Sequence, residues 1–272
     1  MKSEYTMGNE LYLDLLKRCV SNSIYDDDMD VMRGKFVRDP VSGKLVGAHP
    51  APSDPTRKYF GGIWPTRAHT MIGIPRLDNL RDCVETVIRD RVPGDLIETG
   101  AWRGGASIFM RGILKAFGVE DRRVWVADSF EGLPSVDQAG HAADAALGLD
   151  RFEILAVSLE VVRENFARYG LLDEQVVFLK GWFRDTLPAA PINRLAVMRL
   201  DGDLYESTMD ALTILYPKLS PGGFVIVDDY NAVAGCNEAT HEYRQALSVN
   251  EPLELIEGAG AYWRKADSGA MT

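Results

Sequence analysis

Four aspartates in the last third of the chain are the residues whose chemistry is easiest to name. Asp201 and Asp203 follow the apolar run LAVMRL, and Asp228 and Asp229 follow GGFVIV. If these runs are neighbouring strands, about 4.8 Å apart, their carboxylates converge at one edge of a sheet. Carboxylates gathered in a cleft repel one another unless a cation lies between them. An all-oxygen donor set favours a hard divalent ion, Mg²⁺ or else Ca²⁺ or Mn²⁺, over zinc. Successive residues on a strand point to opposite faces, so Asp228 and Asp229 share an ion only if the backbone turns between them. The alternative for each aspartate is a cap on a turn or helix. A cation beside a free carboxylate suits one task well: taking the proton from a weakly acidic hydroxyl while stabilising the oxygen left behind.

A second set of residues lies earlier. Glu98-Thr99-Gly100-Ala101-Trp102-Arg103-Gly104-Gly105 joins an apolar run to a helical pattern. Gly100 permits a tight turn, and Gly104 with Gly105 lets backbone approach a ligand or the next helix closely. The spacing is not the G-x-G-x-x-G of dinucleotide binding. The next apolar run, VWVAD, ends at Asp128 with Ser129 after it, and a carboxylate there can accept both hydroxyls of a ribose. The run after that ends in Lys180-Gly181-Trp182-Phe183, which offers an aromatic ring or a backbone amide to an adenine. Together the three point to an adenosine-containing ligand without a pyrophosphate fingerprint, which S-adenosylmethionine (SAM) fits better than NAD.

Ligands of open α/β sheets bind outside the carboxyl ends of the strands, so the elements must place all these residues at one edge. From about residue 67 the pattern alternates. RLDNLRDCVETVIRD reads as a helix burying Leu77, Leu80, Val84 and Ile88, DLIETG as a strand and SIFMRGILKAFG as a helix. VWVADSF, QVVFLKG, LAVMRLDGD and GGFVIVDDY read as strands, LEVVRENFARYG and STMDALTILYPKL as helices, with THEYRQALS and AYWRK closing the fold. Strands apolar on both faces and separated by helices predict a mostly parallel, Rossmann-like α/β sheet covered on both sides.

The N-terminal part is different. Residues 9–25 predict a short amphipathic helix with Leu11, Leu15, Leu16 and Val20 on its apolar side, and Asp26, Asp27, Asp28 and Asp30 read as its solvated end. Residues 39–66 contain Pro40, Pro50, Pro52, Pro55 and Pro65, which predicts a long irregular loop, more often a lid than packing material. Within it Tyr59, Phe60, Ile63 and Trp64 need cover, and Arg57, Lys58 and Arg67 are placed to complement an acidic cleft. The expected division is a helix-and-lid segment over 1–66 and a SAM-dependent domain over 67–272.

The 272 residues, 46% hydrophobic and 26% charged, suffice for one large α/β domain. A net charge of −10 argues against non-specific grip on nucleic acid or anionic membrane. Cys19, Cys83 and Cys236 lack metal-ligand spacing and read as reduced thiols of a cytoplasmic protein, with no export signal or membrane span.

The stretches HTMIGIPRLDNL, VPGDLIETGAWRGG, VWVADSFEGLP, LDGDLYEST and GGFVIVDDYN resemble the macrocin-type sugar O-methyltransferases of antibiotic biosynthesis, over roughly residues 60–265. The resemblance implies a class I methyltransferase fold, SAM and Mg²⁺, and a deoxysugar hydroxyl of a glycosylated natural product as acceptor. It implies that Asp201, Asp228 and Asp229 hold the metal and that Asp203 or Asp201 is the base. Glu98, Trp102, Asp128, Ser129 and Trp182 would line the SAM site beside Gly100, Gly104 and Gly181, with Thr70 and Met71 covering it. A homodimer or larger assembly is also implied. Two features depart from the family: Ile63 stands before Trp64-Pro65 where an acidic residue is expected, and Asp137–Asp150 is alanine-rich. Both bear on the acceptor. The rival reading is a metal-dependent O-methyltransferase of a catechol-like small molecule. His241 is an alternative base; His49, His69 and His141 receive no role.

Overall fold

A computed structural model describes residues 7–135 and 141–266. Helix α1 (Met7–Val20) stops five residues short of the expected end and buries Leu13, Leu16 and Val20, leaving Leu11 and Leu15 exposed. It lies against α4, so its apolar stripe is set by that one partner rather than by every leucine in the run.

The stretch from residue 26 to 66 is more regular than its composition suggests. β1 (Met29–Arg38) and β2 (Leu45–Pro52) form an antiparallel ribbon, and a short helix α2 (Pro55–Tyr59) follows, capped by Asp54. Proline is tolerated because both strands are edges. Pro50 also falls where the register jumps from Asp30↔Ala51 to Lys35↔His49.

The acidic run is not a solvated helix end. Asp28 is buried and accepts from the backbone of Arg67 and Ala68, from Asn22, and from Lys58 at 3.0 Å. Arg67 pairs with Asp27 and Lys58 also with Asp26. Arg57 donates to the Gly62 carbonyl. These bases answer the acidic run and not the cleft, because their partners are nearer in the chain.

In the alternating region the expected strands and the longer helices form, with the short helices α5 and α7 added. In order come α3 (Ile74–Arg89), β3 (Asp95–Thr99), α4 (Gly105–Ala116), β4 (Val124–Asp128), α5 (Ala142–Leu147), α6 (Leu159–Arg168), β5 (Val176–Lys180), α7 (Phe183–Thr186) and β6 (Leu195–Leu200). Then come α8 (Tyr205–Leu215), β7 (Leu219–Val227), α9 (Ala234–Ala246), β8 (Glu254–Leu255) and β9 (Ala261–Arg264). Within Asp137–Asp150, residues 137–140 lie outside the described residues. The sheet order is β5-β4-β3-β6-β7-β9-β8, parallel from β5 to β7 and antiparallel at β9 and β8.

Alternation along the strands supplies both cores. Leu96, Val126, Val197 and Ile226 face α1, α3, α4 and α6. Ile97, Ala127, Met198 and Val227 face α8, α9 and Trp263. Such burial is worth about 1.5–3 kcal/mol per large side chain, so the two layers hold the strand ends rigidly in place.

Candidate active site

The strand register brings the expected residues to one level. Thr99 of β3 pairs with Ala127 of β4 and Leu200 of β6, and Leu200 with Val227 of β7. Gly100, Asp128, Asp201 and Asp228 therefore emerge side by side at the carboxyl edge. They open into a cavity of about 410 Å³. Every site residue read from the sequence lines it except Gly104 and the alternative base His241.

On the β3–β4–β5 side the glycine turn is held by Asp128. One carboxylate oxygen accepts from the amides of Ala101 (2.7 Å) and Trp102 (3.2 Å), the other from Phe130 (2.7 Å). Trp102 has a left-handed backbone (φ 48°), and its indole nitrogen donates to the Ile154 carbonyl at 2.7 Å. A Cβ on Gly100 would collide with the Asp201 carbonyl oxygen, so only glycine lets the turn pass β6. Gly104 instead approaches Val162 and Phe166 of α6 and serves packing. Ser129 ties its own turn by donating to the Gly132 carbonyl at 2.6 Å. Thr70, Met71, Gly181 and Trp182 complete the wall. Burial lifts the Glu98 carboxyl to about 7, against the pull of Arg199 and Ser107, which hold its two oxygens.

On the β6–β7 side the backbone does turn after Val227, as sharing between Asp228 and Asp229 demands. Asp201, Asp228 and Asp229 each present an oxygen within 4.8 Å of the others. Asp229 Oδ2 is buried and, among the described residues, has no hydrogen-bond partner. Three converging carboxylates with an unpartnered oxygen fit a hard divalent cation. Asp203 sits in a left-handed turn (φ 56°) that aspartate tolerates better than most residues. Burial, then the charges of Asp201, Asp228 and Asp128, push its carboxyl up to about 8. A dication placed among these groups would reverse that trend.

Two arginines here were not anticipated. Arg199, fully buried in β6, donates through Nη1 to Glu98 (2.6 Å) and Asp201 (2.8 Å) and through Nη2 to Asp228. Arg76, in the first turn of α3, donates to the other oxygen of Asp228. The signal for Arg199 was present: a charge inside LAVMRL, a strand apolar on both faces, must find buried partners. Asp144 was also missed; it lines the cavity and accepts from the amides of Tyr205 and Glu206, capping α8. Met32, Ile63 and Trp64 close the cavity from the N-terminal segment, and Trp64 packs edge-on against Phe152. His241 is exposed, does not line the cavity, and its Nε2 is engaged by the Tyr230 hydroxyl at 2.7 Å.

The parallel sheet, its glycine turn and its acidic edge define a class I O-methyltransferase. Residues 9–265 match the macrocin O-methyltransferase (TylF) family, and the chain belongs to it. It is 54% identical over 266 residues to the 8-demethyl-8-(2,3-dimethoxy-alpha-L-rhamnosyl)-tetracenomycin-C 4'-O-methyltransferase of Streptomyces olivaceus, covering 97% of this chain and 96% of that one. It is 52% identical to the mycinamicin III 3''-O-methyltransferase of Micromonospora griseorubida, covering 95% and 98%. Among solved structures, the O-methyltransferase NovP is 51% identical with a TM-score of 0.85, covering 95% of this chain and 100% of that one. CalS11, a calicheamicin methyltransferase, is 27% identical with a TM-score of 0.54, covering 71% and 79%.

Proposed function

We propose that the enzyme transfers a methyl group from SAM to a sugar hydroxyl of a glycosylated natural product, in the tailoring of an antibiotic, with a divalent cation, Mg²⁺, at Asp201, Asp228 and Asp229. The observation that carries this reading is the convergence of those three carboxylates beside Asp203 in the cavity that the glycine turn also opens into. The acceptors in the names of the relatives, a rhamnosyl tetracenomycin and mycinamicin III, support a glycoside.

When bound, the donor supplies a methyl group on a positively charged sulfur, and the cation stabilises charge developing on the acceptor oxygen. The chain does the rest. After accepting three amides Asp128 has one lone pair left, on the oxygen that also accepts from Phe130, for a ribose hydroxyl, and Trp182 offers its ring beside Gly181. Asp203 would take the proton from the acceptor hydroxyl as that oxygen bonds to the transferred methyl group, the donor leaving as its neutral thioether. Asp201 is the alternative base, but its Oδ2 is already held by Arg199 at 2.8 Å. Met32, Ile63 and Trp64 exclude water from the transferring group, which is the sense in which the segment up to residue 66 acts as a lid on the domain from residue 67 onward. A catechol acceptor is disfavoured by this machinery, since an acidic phenol has little need of a buried base.

The exposed Leu11 and Leu15 of α1 support assembly as a homodimer or larger. Three free thiols, and the lack of any helix long and apolar enough to cross a membrane among the described residues, support a cytoplasmic setting. The test is mass spectrometry of SAM-dependent methylation across a panel of glycosylated natural products, with and without EDTA. Methylated glycoside that disappears with EDTA and returns with Mg²⁺ is the expected result; undiminished turnover in excess EDTA excludes the cation.

A further inference from the structure

Arg76 is in an unfavourable place for a cation. It occupies the first turn of α3, which holds no acidic residue, and the positive end of the helix dipole disfavours a guanidinium there. It is 6% exposed, and its Nε has no hydrogen-bond partner among the described residues. What holds it is Asp228, to which Nη1 donates, and the Gly61 carbonyl, 3.2 Å from Nη2. Asp228 is thereby paired on both oxygens, by Arg76 outside and Arg199 inside. The arginines differ in freedom. Arg199 is locked near the end of β6 to three carboxylates, whereas Arg76 lines the cavity with only one.

A dication sharing Asp228 with Asp201 and Asp229 would meet the Arg76 guanidinium on the same carboxylate. Like charges at such range in a poorly solvated site oppose each other strongly. The guanidinium has somewhere else to go, because its second nitrogen already touches Gly61.

We propose that Arg76 is a positioning residue that stands in for the divalent cation: it neutralises Asp228 in the cation-free enzyme and yields that oxygen to the ion on loading, its guanidinium then resting on the Gly61 carbonyl. This rests on the cation reading of the three aspartates. It implies that the site is kept weaker than its carboxylates alone would make it. It also ties loading to the backbone just before Ile63 and Trp64, two residues of the cavity wall.

The test titrates MnCl₂ alone into full-length enzyme, without SAM or acceptor, reading free Mn²⁺ by its paramagnetic resonance signal. Arg76→Met removes the competing charge and should bind Mn²⁺ at least about tenfold more tightly than wild type. A purely structural arginine would give the opposite sign, because losing it would disorder the ligands. A folded Arg76→Met protein that binds Mn²⁺ no more tightly than wild type overturns the proposal, and one that folds only with Mn²⁺ present supports it. Should that variant aggregate under both conditions, Arg76→Lys decides: retained charge should keep Mn²⁺ affinity within about threefold of wild type, and a departure beyond that overturns the idea. Wild-type enzyme that takes up no Mn²⁺ at all defeats the cation reading itself, and Arg76's role with it. Uptake by wild type without tightening in the methionine variant defeats only the role of Arg76.

Discussion

Arg199 donates to Glu98 at 2.6 Å across the β3–β6 boundary, where the order of strands along the sheet reverses. The same guanidinium reaches Asp201 and Asp228, so one buried cation joins the end of the strand that leads into the glycine turn to the acidic edge. Replacing it with methionine removes the guanidinium from Glu98, Asp201 and Asp228, leaving Asp228 to Arg76 and Glu98 to the Ser107 hydroxyl. Arg199→Met should lose about 3–5 kcal/mol of unfolding free energy in urea titration, the usual cost of breaking a buried pair from one side. A loss within experimental scatter would mean that the network contributes nothing to stability.

The base assignment separates two aspartates two residues apart. Asp203→Asn should lower the catalytic rate by about 10²–10⁴-fold, the range for a general base, with Mn²⁺ affinity nearly unchanged. Steady-state kinetics alongside Mn²⁺ titration checks both halves. A fully active Asp203→Asn enzyme, with Asp201→Asn inactive, would move the base to Asp201.

Asp128 has two tasks, so the choice of substitution matters. Alanine would release the amides of Ala101 and Trp102 together with the ligand. An asparagine side chain keeps an oxygen for Ala101 and Trp102 but turns a donor toward the Phe130 amide and the ligand. Asp128→Asn should weaken SAM binding by about 1.5–3 kcal/mol in calorimetry, the scale of hydrogen bonds to a charged group. Unchanged affinity would remove Asp128 from the ribose.

His69 sets a pH dependence of stability. Its Nδ1 lies 2.7 Å from the Tyr169 hydroxyl, and burial, helped by Arg103 and Arg168, lowers its pKa below the ordinary 6.5. The unfolded chain therefore binds more protons than the folded one as pH falls below that value. Stability from this group is complete above about 6.5 and is lost as pH drops toward the folded-state pKa. Thermal melts from pH 7.5 to 5 should show a decline that His69→Gln flattens. An identical slope in the variant would place the titrating group elsewhere.

Most of the sheet was legible because each strand from DLIET to GGFVIV is an apolar run bounded by turn residues, and its last residue is where chemistry collects. The helices α3, α4, α6 and α8 were legible for the same reason: α3 buries Leu77, Leu80 and Val84 as its spacing predicts, whereas α2, α5 and α7 are too short to show a period and α9 starts six residues before the expected element. The N-terminal segment was not. Proline content hid the β1–β2 ribbon, since edge strands accept prolines that a central strand refuses. The role of Asp28 depended on the amides of Arg67 and Ala68, some forty residues away, which no local pattern reveals. At the site, the types of the acidic residues were readable but their partners were not. Arg76 looks from sequence like an ordinary polar residue at a helix start, and only the packing of α3 against β7 brings it to Asp228.

The register that levels Thr99 with Leu200 places the proposed donor groups on β3, β4 and β5 and the carboxylates on β6 and β7. Each reactant thus has its own stretch of chain, and the two meet where β3 pairs with β6, at Arg199, where Gly100 passes Asp201, and where Asp144 caps α8. A lineage can then change what is methylated by altering the later stretch and the N-terminal wall, while the earlier stretch is inherited intact. Hybrid genes joined between α7 and β6 would keep one parent's glycine turn, Asp128 and N-terminal wall and take the other's carboxylates.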